Sequence, residues 1–286
     1  MLSVVFPSRG RPSSLLKAVS SLARDPSLVE VVVGLDDDDP DRHEAEDKIG
    51  HIPGVRILTC PRMMCQAAYY NHLAKQATHD WVGIFADDYT VDQDDWASIM
   101  ETTLAALPNG YGFGYFHDPM YPFFSTYPFM SKATMALQIE GKFLPEFFPF
   151  LFGDTWINEI GVMATFILPS KASVTIQPET GHQHRFRDLR MWSEFFHETR
   201  PLRAQIAQKM IQAATGTETN IYNGLMIDLP KRAALVDRLF RESSMTEDFF
   251  QRMENNGWEG QYVHPEYEAM KQRTLKFLEL NRRKAA

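Results

Sequence analysis

The stretch Val29–Asp41, VEVVVGLDDDDPD, sets an apolar run directly against five carboxylates in six positions. A nearly continuous run of Val and Leu bounded by turn residues reads as a strand buried on both faces. The charge crowded at its end then has three readings: solvated turn, metal ligands, or hydrogen-bond acceptors for a ligand. The choice among them depends on what surrounds the strand.

The surroundings repeat the same design. Leu2–Phe6 (LSVVF) is a short apolar run followed by the turn PSRGRP. Leu15, Leu16, Val19, Leu22 and Ala23 then recur at helical spacing, with Ser13 or Ser14 placed to cap the helix. VRILTC (Val55–Cys60) reads as a third strand, and WVGIFA (Trp81–Ala86) as a fourth that ends in Asp87 and Asp88. Between them Tyr70, Leu73, Ala74 and Ala77 share one helical face. Beyond them Trp96, Ile99, Met100, Thr103, Leu104 and Leu107 mark another helix, with Asp94 near its start. Strands alternating with helices predict an α/β fold, a mostly parallel sheet flanked by helices. In such sheets ligands bind beyond the carboxyl ends of the strands. Both acidic clusters, Asp36–Asp39 and Asp87–Asp88, fall there.

Past about residue 110 the pattern loosens. Tyr115, Phe116, Tyr121, Phe123, Phe124 and Tyr127 belong to an aromatic tract read first as core, and VMATFILPS (Val162–Ser170) is predicted as another strand. From Leu189 the text is helical, with stripes at Leu202, Ile206 and Met210, at Leu235, Val236, Leu239 and Phe240, and at Tyr267, Met270, Phe277 and Leu278. The predicted organisation is an α/β domain over residues 1–188 and a helical extension over 189–286 packed on it.

Composition narrows the partners. A net charge of −8, from 29 basic and 37 acidic side chains, argues against nucleic acid as the main partner. Cys60 and Cys65 make no disulfide framework, and reduced thiols suit a cytoplasmic protein. The first apolar run is interrupted by Pro7 and is too short for a secretory signal. No apolar run reaches the ~18 residues of a spanning helix.

Three motifs fail on spacing. A calcium loop starting at Asp37 would need Gly where Arg42 stands and Glu where Lys48 stands. In GYGFGYF, His117 occupies the third Gly position of a dinucleotide fingerprint. A phosphate-binding P-loop is absent from the sequence.

What survives is a set of pieces in order: VVFPSRGRP (Val4–Pro12), EVVVGLDDDDPD (Glu30–Asp41), YYNHLAKQATHDWVGIFADDYTVDQDDW (Tyr69–Trp96), FLFGDTWINEIG (Phe150–Gly161) and GHQHRFRD (Gly181–Asp188). Together, over residues 2 to 185, they resemble the nucleotide-sugar-dependent glycosyltransferases of the inverting family 2, which have the GT-A fold. The resemblance implies a nucleotide-sugar donor, most often UDP-linked, and a carbohydrate or other hydroxyl-bearing acceptor. It places Pro7, Ser8, Arg9 and Arg11 around the nucleotide, with Asp36 or Asp37 accepting a hydrogen bond from the base. Asp38, Asp39 and Asp41 are read as solvated turn residues.

The family's DXD element aligns with Ala86-Asp87-Asp88, so its first Asp is Ala here. The resemblance makes Asp88 a ligand of Mn2+ or Mg2+ and sets Asp87 against ribose or sugar hydroxyls, or the metal through water. Asp154 takes the general-base position, with Glu159 as the substitute and an N-cap role as the structural alternative. His182 or His184 supplies a further metal ligand, and the neighbouring Arg185 and Arg187 can pair with donor phosphates. The competing readings are a sugar nucleotidyltransferase, whose glycine-rich first loop PSRGRP lacks, and a non-catalytic carbohydrate- or nucleotide-binding module.

Overall fold

β2 (Val29–Asp36) is buried at all eight positions, as its apolar run requires. The computed structural model describes residues 1–63, 66–122, 124–146, 148, 152–177, 196–197, 199–219 and 221. β2 lies between β1 (Leu2–Ser8) and β3 (Val55–Cys60), and β4 (Trp81–Ile84) flanks β1 on its other side, all four strands parallel. The connections are α1 (Pro12–Leu22), α2 (Arg42–Ile49) and α3 (Gln66–Gln76). α1 starts at a proline whose fixed φ suits a first helical position, and no serine side chain caps it, so the expected Ser13 or Ser14 cap is corrected. α2 escaped the sequence reading because only Ala45 and Ile49 are buried along it.

The second half of the sheet is mixed. After β5 (Tyr89–Val91) and α4 (Trp96–Ala105) come β6 (Phe113–His117), β7 (Pro128–Ser131), α5 (Lys132–Leu137), α6 (Gly153–Ala164) and β8 (Ile167–Ile176). The eight strands follow the order β3-β2-β1-β4-β7-β6-β8-β5, with β7 antiparallel to both β4 and β6. The fold is therefore the α/β class expected. Strands β5, β6 and β7 were invisible in sequence because three to five aromatic- and proline-rich residues carry no usable alternation. The expected strand over Val162–Ser170 is corrected at its start. α6 keeps its buried stripe of Trp156, Ile157, Ile160 and Ala164, ends in a left-handed Thr165, and β8 begins at Ile167.

The aromatic tract is mostly core. Phe85, Phe116, Phe129 and Trp96 pack edge-on or tilted, with ring centroids 5.3–6.3 Å apart. Gly83 in β4 is required by this packing, since a Cβ there would lie 2.3 Å from the Phe129 ring. Among its described members, Tyr121 is exposed, at 51%, and Phe124 is half-buried. The last described helix, α7 (Arg200–Thr215), packs against α6. The boundary expected at residue 188, and the stripes beyond residue 221, lie outside the described residues. No helix among the described residues is long and apolar enough to cross a membrane.

Candidate active site

The sheet order makes β2, β1 and β4 neighbours, so the turns at their carboxyl ends meet. The middle turn, after β1, is stitched to both sides. Toward β2, Arg9 donates to Asp36 at 2.9 Å and also pairs with Asp38, while the Gly10 amide donates to Asp39 at 2.9 Å. Toward β4, Ser8 Oγ donates to Asp87 at 2.6 Å and Arg11 at 3.2 Å. Gly10 adopts φ of 66°, a left-handed conformation that glycine takes without a Cβ penalty, and this aims its N–H at Asp39. Pro7 is half-buried within β1, opposite Gly34.

The acidic turn after β2 divides by burial. Asp36 and Asp39 are buried, whereas Asp37 and Asp38 are exposed. Asp39 is no solvated turn residue: it accepts from the amides of Gly10 and Asp41 and locks the two turns together. Burial pushes the Asp36 carboxyl up to about 6, against the opposing pull of Arg9. Burial also raises Asp87, with Ser8 and Arg11 working the other way.

Asp87 and Asp88 differ in what they have left to offer. Both Asp87 oxygens are engaged, by Ser8 and Arg11. Asp88 is half-buried, and no described residue donates a hydrogen bond to its carboxylate. Among the described residues no group of three or more His, Cys, Asp or Glu side chains forms a metal cage. One open carboxylate at a strand tip still fits a hard divalent ion of the Mg2+ type, which takes one or two carboxylates and completes its shell with phosphate oxygens and water.

Asp154 enters from the far half of the sheet, in the first turn of α6, where a negative charge suits the helix dipole. The residue before this helix, Phe152, is left-handed at φ 65°, and the Asp154 Oδ1 accepts from the Thr155 amide at 2.7 Å. The link between the halves is Tyr70, on the buried face of α3. Its hydroxyl donates to the Phe85 carbonyl at 2.7 Å, and burial, together with the charges of Asp88, Asp87 and Asp154, drives its pKa up. Carboxylates from the turn after β4 and from α6 thus act electrostatically on one phenol. Helical periodicity had put Tyr70 on an inward face, but nothing local marked it as the meeting point.

Other residues settle elsewhere. Glu159 forms ion pairs with Arg200 and Arg203 of α7, and Arg203 is fully buried against the Trp156 and Phe196 rings. Its carboxylate is occupied in helix packing, which removes the substitute base. His182, His184, Arg185 and Arg187 lie outside the described residues.

The chain has no match among the curated proteins searched by sequence. Among solved structures it is similar to the S. aureus TarS 1-349 structure in complex with UDP-GlcNAc, at 12% identity and a TM-score of 0.54, covering 99% of this chain and 92% of that one. It is also similar to the mannosyltransferase PcManGT from Pyrobaculum calidifontis in complex with GDP-Man and Mn2+, at 11% identity and a TM-score of 0.50, covering 98% and 86%. At such identities the likeness is one of fold. The family signal comes from the sequence itself: residues 3–121, which hold the β1, β2 and β4 turns, match the model described as glycosyl transferase family 2.

Proposed function

We propose that the protein transfers a sugar from a nucleotide-sugar, UDP-linked in our reading, to an acceptor hydroxyl with inversion at the anomeric carbon, aided by Mn2+ or Mg2+. The observation that carries the reading is that Asp87 and Asp88, after β4, and Asp154, in α6, all act electrostatically on the one buried Tyr70 phenol. The stitched turn after β1 provides the other side of the same edge.

In this reading the Arg9–Asp36 pair receives the nucleotide base, Asp36 accepting from a base N–H once ionised. Arg11, oriented by Asp87, faces the nucleotide, and Asp87 acts mainly by holding Arg11 and Ser8 in place. Asp88 holds the divalent ion, with His182 or His184 as a further ligand and Arg185 toward the phosphates. When bound, that ion neutralises charge gathering on the departing diphosphate. Asp154 accepts the proton of the acceptor hydroxyl while the acceptor oxygen bonds to the anomeric carbon and the bond to the diphosphate oxygen breaks. A single displacement of this kind inverts the centre. Residues 1–188 form the catalytic unit in this reading and 189–286 its extension. A cytoplasmic location agrees with the free, buried Cys60 thiol.

The two structural relatives were solved with different bases, so the test spans both. Calorimetry with UDP, GDP and their sugars, with and without Mn2+, is expected to show heat for one nucleotide class that depends on the ion. A screen for nucleotide release with hydroxyl acceptors, with the product anomer read by NMR, completes it. The absence of heat for every nucleotide would sink the proposal.

A further inference from the structure

The turn that carries Asp87 and Asp88 is held by a residue 90 positions further along the chain. Gln177 follows β8 directly and is only 6% exposed. Its backbone N–H donates to the Asp88 carbonyl at 2.7 Å. Its side-chain amide nitrogen lies 3.1 Å from the Asp87 carbonyl, 3.2 Å from the Tyr89 carbonyl and 3.2 Å from the Ser14 carbonyl in the first turn of α1. Three successive carbonyls, those of residues 87, 88 and 89, therefore converge on Gln177.

Such convergence is foreign to an extended chain, where successive peptide carbonyls point in alternate directions. It defines a tight turn whose backbone acceptors would otherwise be buried without donors. Two amide hydrogens serve three oxygens here, which requires a shared, three-centre bond. The Ser14 contact ties the same turn to the start of α1, three residues beyond Arg11. The turn is thus fixed from two directions: its Asp87 carboxylate to Ser8 and Arg11, its backbone to Gln177. Between these anchors stands Asp88, whose side chain no described residue holds.

We propose that Gln177 is a positioning residue: it sets the backbone of the Asp87–Tyr89 turn so that the Asp88 carboxylate is presented, pre-oriented, to the ion and diphosphate. The assignment rests on the reading of Asp88 given above. Its mechanism is that of partners that orient a metal ligand from behind, whose loss commonly costs about 10- to 100-fold in affinity.

The test compares the wild type with Gln177→Met, which keeps the side chain's length and removes its donors, and with Gln177→Asn, which keeps the amide and shortens its reach. Gln93→Met is the control. Gln93 also clamps β8, accepting from the Ser173 amide at 2.8 Å and donating to Ser173 Oγ at 2.9 Å, but does not touch the acidic turn. Two readouts are used: hydrogen exchange of the peptide covering residues 85–91, and Mn2+ titration in the presence of UDP or GDP. Both Gln177 variants are expected to remain folded, to exchange faster across the turn by about tenfold or more, and to bind Mn2+ about tenfold more weakly, while Gln93→Met changes neither. Wild-type exchange in the Gln177 variants, an equal loss in Gln93→Met, or collapse of the fold in both Gln177 variants overturns the assignment. If the wild type itself fails to bind Mn2+ with any nucleotide, the proposed function falls, the ion-presenting role falls with it, and exchange alone decides whether Gln177 sets the turn.

Discussion

The two ends of β2 carry buried carboxylates in opposite circumstances. At the amino end, Glu30 receives Ser3 Oγ at 2.7 Å, the Thr78 amide and hydroxyl at 2.9 Å each, and an ion pair from Arg56. Burial works to raise its pKa, but these donors outweigh burial and hold it below the usual range. At the carboxyl end, Asp36 has one hydrogen-bonded partner, Arg9, shared with Asp38, and only a lesser pull from Arg62, and there burial wins. The number of donors decides the outcome, since a buried charge is tolerable only when its oxygens are satisfied. The lesson extends across the sheet. The amino edge closes its polar groups upon one another and contributes stability. The carboxyl edge leaves Asp36 underserved and Asp88 open, which suits groups meant to meet a ligand.

That contrast can be broken in graded ways. The largest effect is expected at Asp88: Asp88→Ala should lower sugar transfer by about a thousandfold, the several kcal/mol that a bound ion supplies, with an unchanged melting temperature. A large loss of stability would show that the open edge is structural too. Asp154→Asn should lower turnover by about 10²- to 10⁴-fold and leave nucleotide binding intact in calorimetry. Equal turnover in the variant would remove the base assignment.

At the closed edge the signature reverses. Glu30→Ala should cost about 2 kcal/mol of stability by urea unfolding, because buried donors lose their acceptor, with nucleotide affinity of the folded protein unaltered. The smallest effect is a pH slope. Between its ordinary 3.8 and about 6, Asp36 keeps in the folded state a proton that the unfolded chain has released. Its contribution to stability is therefore present at low pH and lost as pH rises through that window. Glu30, with a lowered folded pKa, contributes above its unfolded value and loses that contribution as pH falls. Urea midpoints across this range should lose the Asp36 slope in Asp36→Asn and the opposing slope in Glu30→Ala.

The long elements were legible. β1, β2, β3, α3 and α4 were read within a few residues because uninterrupted apolar runs and helical stripes extend over six to eleven positions. The second half was harder. Strands β6 and β7 take their stability from a cluster of aromatic rings, a long-range property that no local alternation reports. Among candidate site residues, the acids at strand ends were placed from topology alone. What Asp39 and Glu159 do could not be, because a carboxylate's task depends on which donors face it, and those donors come from distant turns: Gly10 for Asp39, and Arg200 and Arg203 for Glu159.

By itself, then, the amino-acid sequence determined the alternation of elements and the placing of acids just past buried strands, since hydrophobic periodicity and turn composition act over neighbouring residues. Only the tertiary structure decided which carboxylates are satisfied and which stay open. It also decided that Tyr70 feels the charges of acids from both the β4 turn and α6, and that Gln177 grips a turn 90 residues away. The physical reason is that hydrogen bonding and desolvation depend on distance in space, and folding brings together groups that the chain keeps far apart.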